Sequence, residues 1–150
     1  MVAGRLVLSP SEVERTLHRI ALEIIERHFS VPLPQLYPVS ERGLSIAETL
    51  LRFLEEEGQP CALVTSPATF RAGEAFLLID DVLHTGRTLA QALVQVWAFS
   101  PPRVEVAVLV DRGHRLFPIV PDYVGLRLAT TLHEYVEVRC TPKGWEVWLT

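Results

Sequence analysis

Several kinds of residue that would announce a specialised chain are scarce here. Only two cysteines occur, Cys61 and Cys140, both in apolar, strand-like surroundings. Two separated thiols build no disulfide framework and leave no Cys-x-x-Cys metal site, so both are expected as buried free thiols. No apolar run approaches the roughly 20 residues that span a bilayer, and no signal peptide opens the chain. No membrane partner is expected, and the cytoplasm is the expected location. Positive charge is also short: 14 Lys and Arg face 18 Asp and Glu, a formal net charge of −4. That balance excludes a chain-wide basic footprint for nucleic acid and leaves room only for a local patch. Internal repeats, low-complexity segments and linkers are absent as well.

Hydrophobic residues make up 49% of the chain and charged ones 21%, an ordinary globular balance. A length of 150 residues predicts a single domain, residues 1–150, with a sizeable core. Its organising stretch is Phe76 to Thr88, FLLIDDVLHTGRT. Phe76, Leu77, Leu78 and Ile79 read as a strand buried on both faces, as in parallel sheets. Asp80 and Asp81 stand where that strand should end. His84-Thr85-Gly86-Arg87-Thr88 then forms a short polar loop before a helix-period segment that begins at Leu89. Ligands of open α/β sheets bind outside the carboxyl ends of the strands. Thr85 and Thr88 supply hydroxyls, Gly86 admits a close backbone approach, and the amides that open a helix attract anions. A phosphate is therefore expected on the loop, with the paired acids facing hydroxyls or a metal beside it. An acidic pair after a strand is by itself often only a solvated turn. The loop and helix start in register are what point to a function.

Strand and helix patterns alternate around this stretch. Arg5 to Leu8 is a short strand, and Ser9-Pro10-Ser11-Glu12 is a helix start with cap, first-turn proline and capping box. Val13, Leu17, Ile20, Ala21, Ile24 and Ile25 keep helical spacing to about Phe29, with His18 and His28 assigned to the solvated side. Gln35 to Val39 is a short strand despite Pro38, with Ser40-Glu41-Arg42-Gly43 as a polar loop at its carboxyl end. A helix is expected from about Ser45 to Glu57, stopped by Gly58. Cys61 to Val64 is the next strand, Thr65 to Gly73 a compact loop, and Leu89 to Phe99 the crossover helix. Val104 to Val110 is another buried strand, and Asp111-Arg112-Gly113-His114-Arg115 at its carboxyl end is a second candidate site. Tyr123 to Leu128, Glu134 to Cys140 and Glu146 to Leu149 are β-rich, the last two joined as a hairpin through Pro142-Lys143-Gly144. The fold class is α/β: a doubly wound, mostly parallel sheet with an antiparallel C-terminal extension.

Two acids after an apolar strand, followed by Thr-Gly-x-Thr, resemble the phosphoribosyl-pyrophosphate signature of type I phosphoribosyltransferases. Val108 to Arg115 (VLVDRGHR), Pro121 to Gly125 (PDYVG) and the opening helix LHRIALEIIER narrow the likeness. Over nearly its whole length the chain is similar to the bifunctional pyrimidine-operon attenuation regulators and uracil phosphoribosyltransferases. The resemblance implies transfer of a phosphoribosyl group from phosphoribosyl pyrophosphate to N1 of uracil, giving UMP and pyrophosphate. It implies that Asp80 and Asp81 bind the ribose hydroxyls and, through the ligand, Mg²⁺, with no direct metal ligand. Thr85, Gly86, Arg87 and Thr88 would hold the 5′-phosphate, Arg42 and Gly43 the pyrophosphate, and Asp111, Arg112 and Gly113 the base. Asp80, Asp81 and Arg42 form the implied catalytic set. For Arg112 and Arg115 a plain surface ion pair competes evenly with ligand contact, and His114 and His133 read as satisfied surface histidines. A homodimer or higher homo-oligomer is implied too.

Departures from the family pattern bear on function. Pro38 stands where the pyrophosphate strand-loop has glycine, and it removes an amide donor. The family's long excursion, a lid over the reacting centre, is reduced to Thr65 to Glu74. In the RNA-contacting helix His18 and Leu22 replace a threonine and a histidine, so RNA binding is expected to be weak or absent. His84 replaces the tyrosine before Thr-Gly-Arg-Thr, and Val120 replaces an arginine. Three function classes follow: an active uracil phosphoribosyltransferase; a noncatalytic regulator that senses UMP or phosphoribosyl pyrophosphate and binds RNA or a protein; and a scaffold that keeps only the fold. Intact acids and an intact loop argue against the scaffold. The missing lid divides the other two, because shielding a reactive C1 from water calls for a closing segment.

Overall fold

In the computed structural model, which describes residues 4–150, β1 (Arg5–Leu8) leads into α1 (Pro10–Arg27). Ser9 caps that helix: its hydroxyl accepts the Glu12 amide while the Glu12 carboxylate accepts the Ser9 amide. The cap sets where the helix begins, and Val13, Leu17, Ile20, Ala21 and Ile24 then line one buried face. β2 (Gln35–Pro38) and α2 (Glu41–Glu56) follow, then a 3-10 turn (Pro67–Thr69), β3 (Phe76–Leu83) and α3 (Arg87–Trp97). The chain closes with β4 (Val104–Asp111), β5 (Tyr123–Arg127) and a hairpin of β6 (Val136–Thr141) and β7 (Gly144–Leu149).

β2, β3, β4 and β5 form one parallel sheet in that order, and β1, β7 and β6 form a separate antiparallel sheet. Register sets Pro38 beside Ile79, Asp80 beside Val108, and Asp111 beside both Leu83 and Arg127. The carboxyl ends of the parallel strands therefore share one edge. Side chains alternate across the sheet. Leu77, Ile79, Ala107 and Leu109 pack with α1, α2 and the antiparallel sheet in one apolar cluster, while Phe76, Leu78, Val106 and Val108 pack with α3 in another. Coverage on both faces is why β3 and β4 read as apolar runs. Helices on both faces of a parallel sheet are the doubly wound arrangement the pattern predicts. Its antiparallel portion recruits β1 from the other end of the chain, and Val138 and Val147 seat it on the first cluster.

Some local expectations change, each for a packing reason. Cys61 to Val64 is not a strand; a single bridge joins Leu63 to Leu36, between Pro60 and the turn at Pro67. α2 begins at Glu41 rather than Ser45, because Ser40 caps it by accepting the Gly43 amide at 2.9 Å. The polar tetrapeptide is thus a cap and first turn. β3 runs on through both acids to Leu83, since β4 pairs with it that far. Pro38 is accommodated because β2 lies at the edge of the sheet. His28 is buried, not solvated: Nδ1 donates to the Ile24 carbonyl at 2.7 Å, and Nε2 lies 2.8 Å from Glu105. Cys140 is exposed near the hairpin turn and Cys61 is half-buried. Burial, with Glu55 nearby, pushes the Cys61 thiol up to about 11.

Gly125 marks a close crossing of β5 with its neighbours. A methyl there would lie 2.4 Å from the Leu109 carbonyl oxygen and 2.8 Å from Thr16 Cγ2. Gly125→Ala is expected to lower the unfolding free energy by about 2 kcal/mol, read from urea denaturation. An unchanged midpoint would show that β5 can part from α1 and β4 without cost.

Candidate functional site

Four segments meet at the carboxyl edge of the parallel sheet: the start of α2, the end of β3, the loop into α3 and the end of β4. Asp80 is central to them and only 7% exposed. Its Oδ1 accepts the Ser40 hydroxyl at 2.7 Å and the Asp81 amide at 2.9 Å, so both donors meet one oxygen. Burial, and then the adjoining Asp81 carboxyl, pushes the Asp80 acid up to about 7 against the pull of those two donors. Asp81 beside it is half-buried. Gly43 lets α2 come this close. A Cβ there would lie 2.6 Å from the Ile79 carbonyl oxygen and 3.4 Å from Asp80 Cα.

On the other side of Asp80, Gly86 caps α3 at φ +89°, a conformation that favours glycine. Thr85 Oγ1 accepts the Arg87 amide at 3.3 Å. The Thr88 and Leu89 amides precede the first intrahelical bond, from Ala90 to Gly86, and so have no helical acceptor. Asp80 and residues 82–89 line a cavity of about 70 Å³ here. Whole-ligand sites span roughly 300–1,000 Å³, so this one has room only for a single small group. The loop is braced from a distant segment. Leu116 and Phe117 both donate to the Thr85 carbonyl, at 2.8 and 3.1 Å, and the Arg87 guanidinium lies 5.0 Å over the Phe117 ring.

Across β4, Asp111 is buried and its Oδ1 accepts the Gly113 amide at 3.0 Å. With Arg112, Gly113, His114 and Thr130 it lines an open cavity of about 410 Å³. The Arg112 side chain is 5% exposed and donates from Nε to Thr130 Oγ1 at 3.2 Å and from Nη2 to the Glu134 carbonyl. It is an internal strut, not the surface ion pair weighed above. Arg115 is exposed and donates to the Ile119 carbonyl at 2.7 Å. His114 contacts the Thr130 carbonyl at 2.6 Å and meets the His84 ring edge-on at 6.1 Å, so the two histidines connect the two cavities. Arg42 donates from Nε to the Val138 carbonyl of β6 at 2.7 Å. Its charge also acts on Glu137 of β6, whose carboxyl Arg139 and then Arg42 hold below the ordinary value.

Sequence reasoning passes over Ser40, Phe117, Thr130 and Val138. Only Ser40 carries a local signal, a serine followed by glutamate at a helix start. The other three act on this edge from distant positions in the chain. The largest described cavity, about 700 Å³, lies at the opposite edge, between the amino ends of the strands. Of its charged groups, Arg71 lies 4.0 Å from Glu74, and His28 and Arg103 lie 2.8 and 3.7 Å from the buried Glu105 behind them, with His28 Nε2 and Arg103 Nε short of a hydrogen-bond partner. It offers no acid pair beside an anion cradle.

A model described as the phosphoribosyl transferase domain matches residues 17–141. The hypoxanthine-guanine phosphoribosyltransferase hpt-2 of Bacillus anthracis, with HEPES in its active site, superposes with a TM-score of 0.77 over 97% of both chains at 14% identity. The hypoxanthine phosphoribosyltransferase of Trypanosoma cruzi gives 0.77 over 95% of both at 16% identity. The fold is that of the phosphoribosyltransferases, and the chain carries their domain. Sequence relatives narrow the class. The chain is 38% identical to the bifunctional protein PyrR of Deinococcus radiodurans over 89% of this chain and 86% of that one. It is 35% identical to PyrR of Haemophilus ducreyi over 90% and 89%. The chain belongs to the PyrR family. The Deinococcus alignment runs over 157 positions, more than the 150 residues here, while covering 89% of them, so that relative has residues with no counterpart in this chain.

Asp80 makes a signed prediction. Its acid binds a proton more tightly folded than unfolded, about 7 against 3.8, so ionisation above pH 7 opposes folding. That opposition fades as pH falls from 7 toward 3.8. Asp80→Asn keeps an acceptor for both donors without the charge. The variant is expected to be more stable than wild type at pH 8, with the gap narrowing steadily at pH 6.5 and pH 5 in urea denaturation. A gap that is independent of pH would mean that Asp80 titrates as an ordinary carboxylate.

Proposed function

We propose that the chain binds phosphoribosyl pyrophosphate with its Mg²⁺, uracil and UMP at the carboxyl edge of its parallel sheet. The reaction is displacement of pyrophosphate from C1 of the ribose by N1 of uracil. The observation that carries this proposal is Asp80, an acid buried between two helix starts with an anion-sized cavity beside it. Asp80 and Asp81 take the ribose hydroxyls and, through the ligand, position its Mg²⁺ ion. Thr85, Gly86, Arg87 and Thr88, with the open amides of α3, take the 5′-phosphate. Gly43 at the start of α2 and the positive charge of Arg42 beside it take the pyrophosphate, whose developing charge a guanidinium suits. Asp111 and Gly113 line the base cavity, with Arg112 holding its wall. The C1–N1 bond forms as the C1–O bond to pyrophosphate breaks, through an oxocarbenium-like state, and the N1 proton passes to solvent. Positioning and electrostatics supply the catalysis.

A specific observation favours a second reading, a nucleotide-sensing regulator with little turnover. Thr65 to Glu74 carries only one 3-10 turn where a closing segment would stand. On either reading the chain is a cytoplasmic homodimer or higher homo-oligomer. RNA is a poor partner. In α1, Leu17, Ile20 and Ala21 are core, Arg19 donates to the Val124 and Gly125 carbonyls, and His18 stacks on Phe53 at 4.6 Å.

UMP is expected to bind with micromolar-scale affinity in calorimetry, and Asp81→Lys to abolish that binding while leaving the urea midpoint near wild type. UMP formation from uracil and phosphoribosyl pyrophosphate with Mg²⁺ should stay below about 1 s⁻¹. Faster turnover would sink the sensor reading and mean that a neighbouring subunit closes the site. For RNA, a pyrimidine-leader hairpin should bind weakly, and what binding remains should fall steeply with salt. Tight, UMP-enhanced binding at physiological salt would contradict this.

A further inference from the structure

Ser40 has no role in the phosphate and base contacts assigned above, yet it touches both halves of the pyrophosphate–ribose region. It stands between β2 and α2. Its hydroxyl accepts the Gly43 amide at 2.9 Å and donates its one hydrogen to Asp80 Oδ1 at 2.7 Å. Oδ1 also accepts the Asp81 amide at 2.9 Å, so both protein hydrogen bonds fall on one oxygen of Asp80. The backbone beneath is equally close. Val39 donates to the Ile79 carbonyl at 3.0 Å, and a Cβ on Gly43 would lie 2.6 Å from that same oxygen. The first turn of α2 and the end of β3 are thus locked together, with Ser40 as the side-chain link. A carboxylate that pivots about its Cβ would present either oxygen to a ligand. One that is pinned at Oδ1 presents Oδ2 in a fixed direction.

We propose that Ser40 is a positioning residue for the phosphoribosyl ligand: by capping α2 and pinning Asp80 through a single hydroxyl, it holds the helix start and the ribose-binding acid in one fixed relation. This rests on the assignment of phosphoribosyl binding to that edge. The consequence is a coupling between the two sides of the ligand. A pyrophosphate that seats against α2 meets an acid already aimed at the ribose, so less freedom is lost when both are bound. The hydroxyl also favours the ionised acid, because a donor stabilises a carboxylate.

The helix cap and the pin can be separated by substitution. Glycine at a cap position costs a helix only a few tenths of a kcal/mol relative to serine, so Ser40→Gly removes the pin with little effect on α2. Ser40→Thr restores a hydroxyl that can make both bonds. Calorimetry with Mg²⁺ and phosphoribosyl pyrophosphate, at pH values from 6 to 9, would be run on wild type and both variants. Phosphorus NMR with inorganic phosphate would follow the α3 loop alone. Ser40→Gly is expected to weaken phosphoribosyl pyrophosphate binding about tenfold, to move the pH midpoint of binding upward, and to leave inorganic phosphate binding unchanged. Ser40→Thr should return both affinity and midpoint toward wild type. Wild-type affinity and an unmoved midpoint in Ser40→Gly would overturn the inference while leaving the proposed function standing. Equal loss of inorganic phosphate would also overturn it, as a general disturbance of the edge. A wild-type protein that binds no phosphoribosyl pyrophosphate would remove the proposed function, and the inference with it.

Discussion

Parallel pairing along β3 is the constraint from which the site follows. A parallel ladder needs a crossover between successive strands, so helices return over the faces and every carboxyl end arrives at one edge. With α1 and α2 on one face and α3 on the other, Phe76 to Ile79 are fully dry. The acid that follows them inherits that dryness. An ionised carboxylate in such a place is costly unless donors meet it, and Ser40 and the Asp81 amide are there to do so. The polar centre of the site is an outgrowth of the core and is held as firmly.

The two crossovers that flank β3 also aim two helix starts at this acid. α2 begins three residues after its strand, and α3 four residues after β3. Each helix start carries partial positive charge and open amides within its first turn. Between them stands an acid pair. A ligand with two anionic groups joined by a hydroxyl-bearing ring matches that order of charge, positive, negative, positive, along one sheet edge. This is the electrostatic sense of the phosphoribosyl assignment.

The opposite edge has charge of another kind. Glu105, 4% exposed at the start of β4, is ringed by His28, Arg103 and Arg27, with the Tyr123 hydroxyl at 3.4 Å. These groups lie at ion-pair distance from one another and tie the end of α1 to the sheet. At the carboxyl edge, by contrast, the first amides of α3 have no helical acceptor, and the buried Asp80 has a second acid, Asp81, beside it instead of a cation. Arg42 also donates to Val138 of β6 and Arg112 to the Glu134 carbonyl just before it, so the second sheet helps to brace the walls of the site.

Most of the architecture is legible in the sequence because it rests on local periodicity. The apolar runs of β3 and β4, the capping box at Ser9 and the Thr-Gly-Arg-Thr loop each state their geometry within a few residues. The doubly wound sheet follows from their alternation, and the acids and the Thr-Gly-Arg-Thr loop are adjacent in the chain before they are adjacent in space. Other features depend on partners far along the chain, and no local pattern contains them. Cys61 to Val64 has strand composition but too little neighbouring edge to pair with, so it remains a single bridge. His28 sits on a polar-looking helix end and is buried only because Glu105 arrives beside it from β4. Arg112 reads evenly as a surface ion pair or a ligand contact and becomes a strut because the segment at Thr130 to Glu134 folds over it. Ser40 reads as loop, and only the approach of β3 turns its hydroxyl into a link. Local sequence determined which elements form, since backbone sterics and periodic burial act over a few residues. Tertiary structure alone decided which polar groups are dry, paired or free, since burial and partnership belong to the packed neighbours and not to the residue.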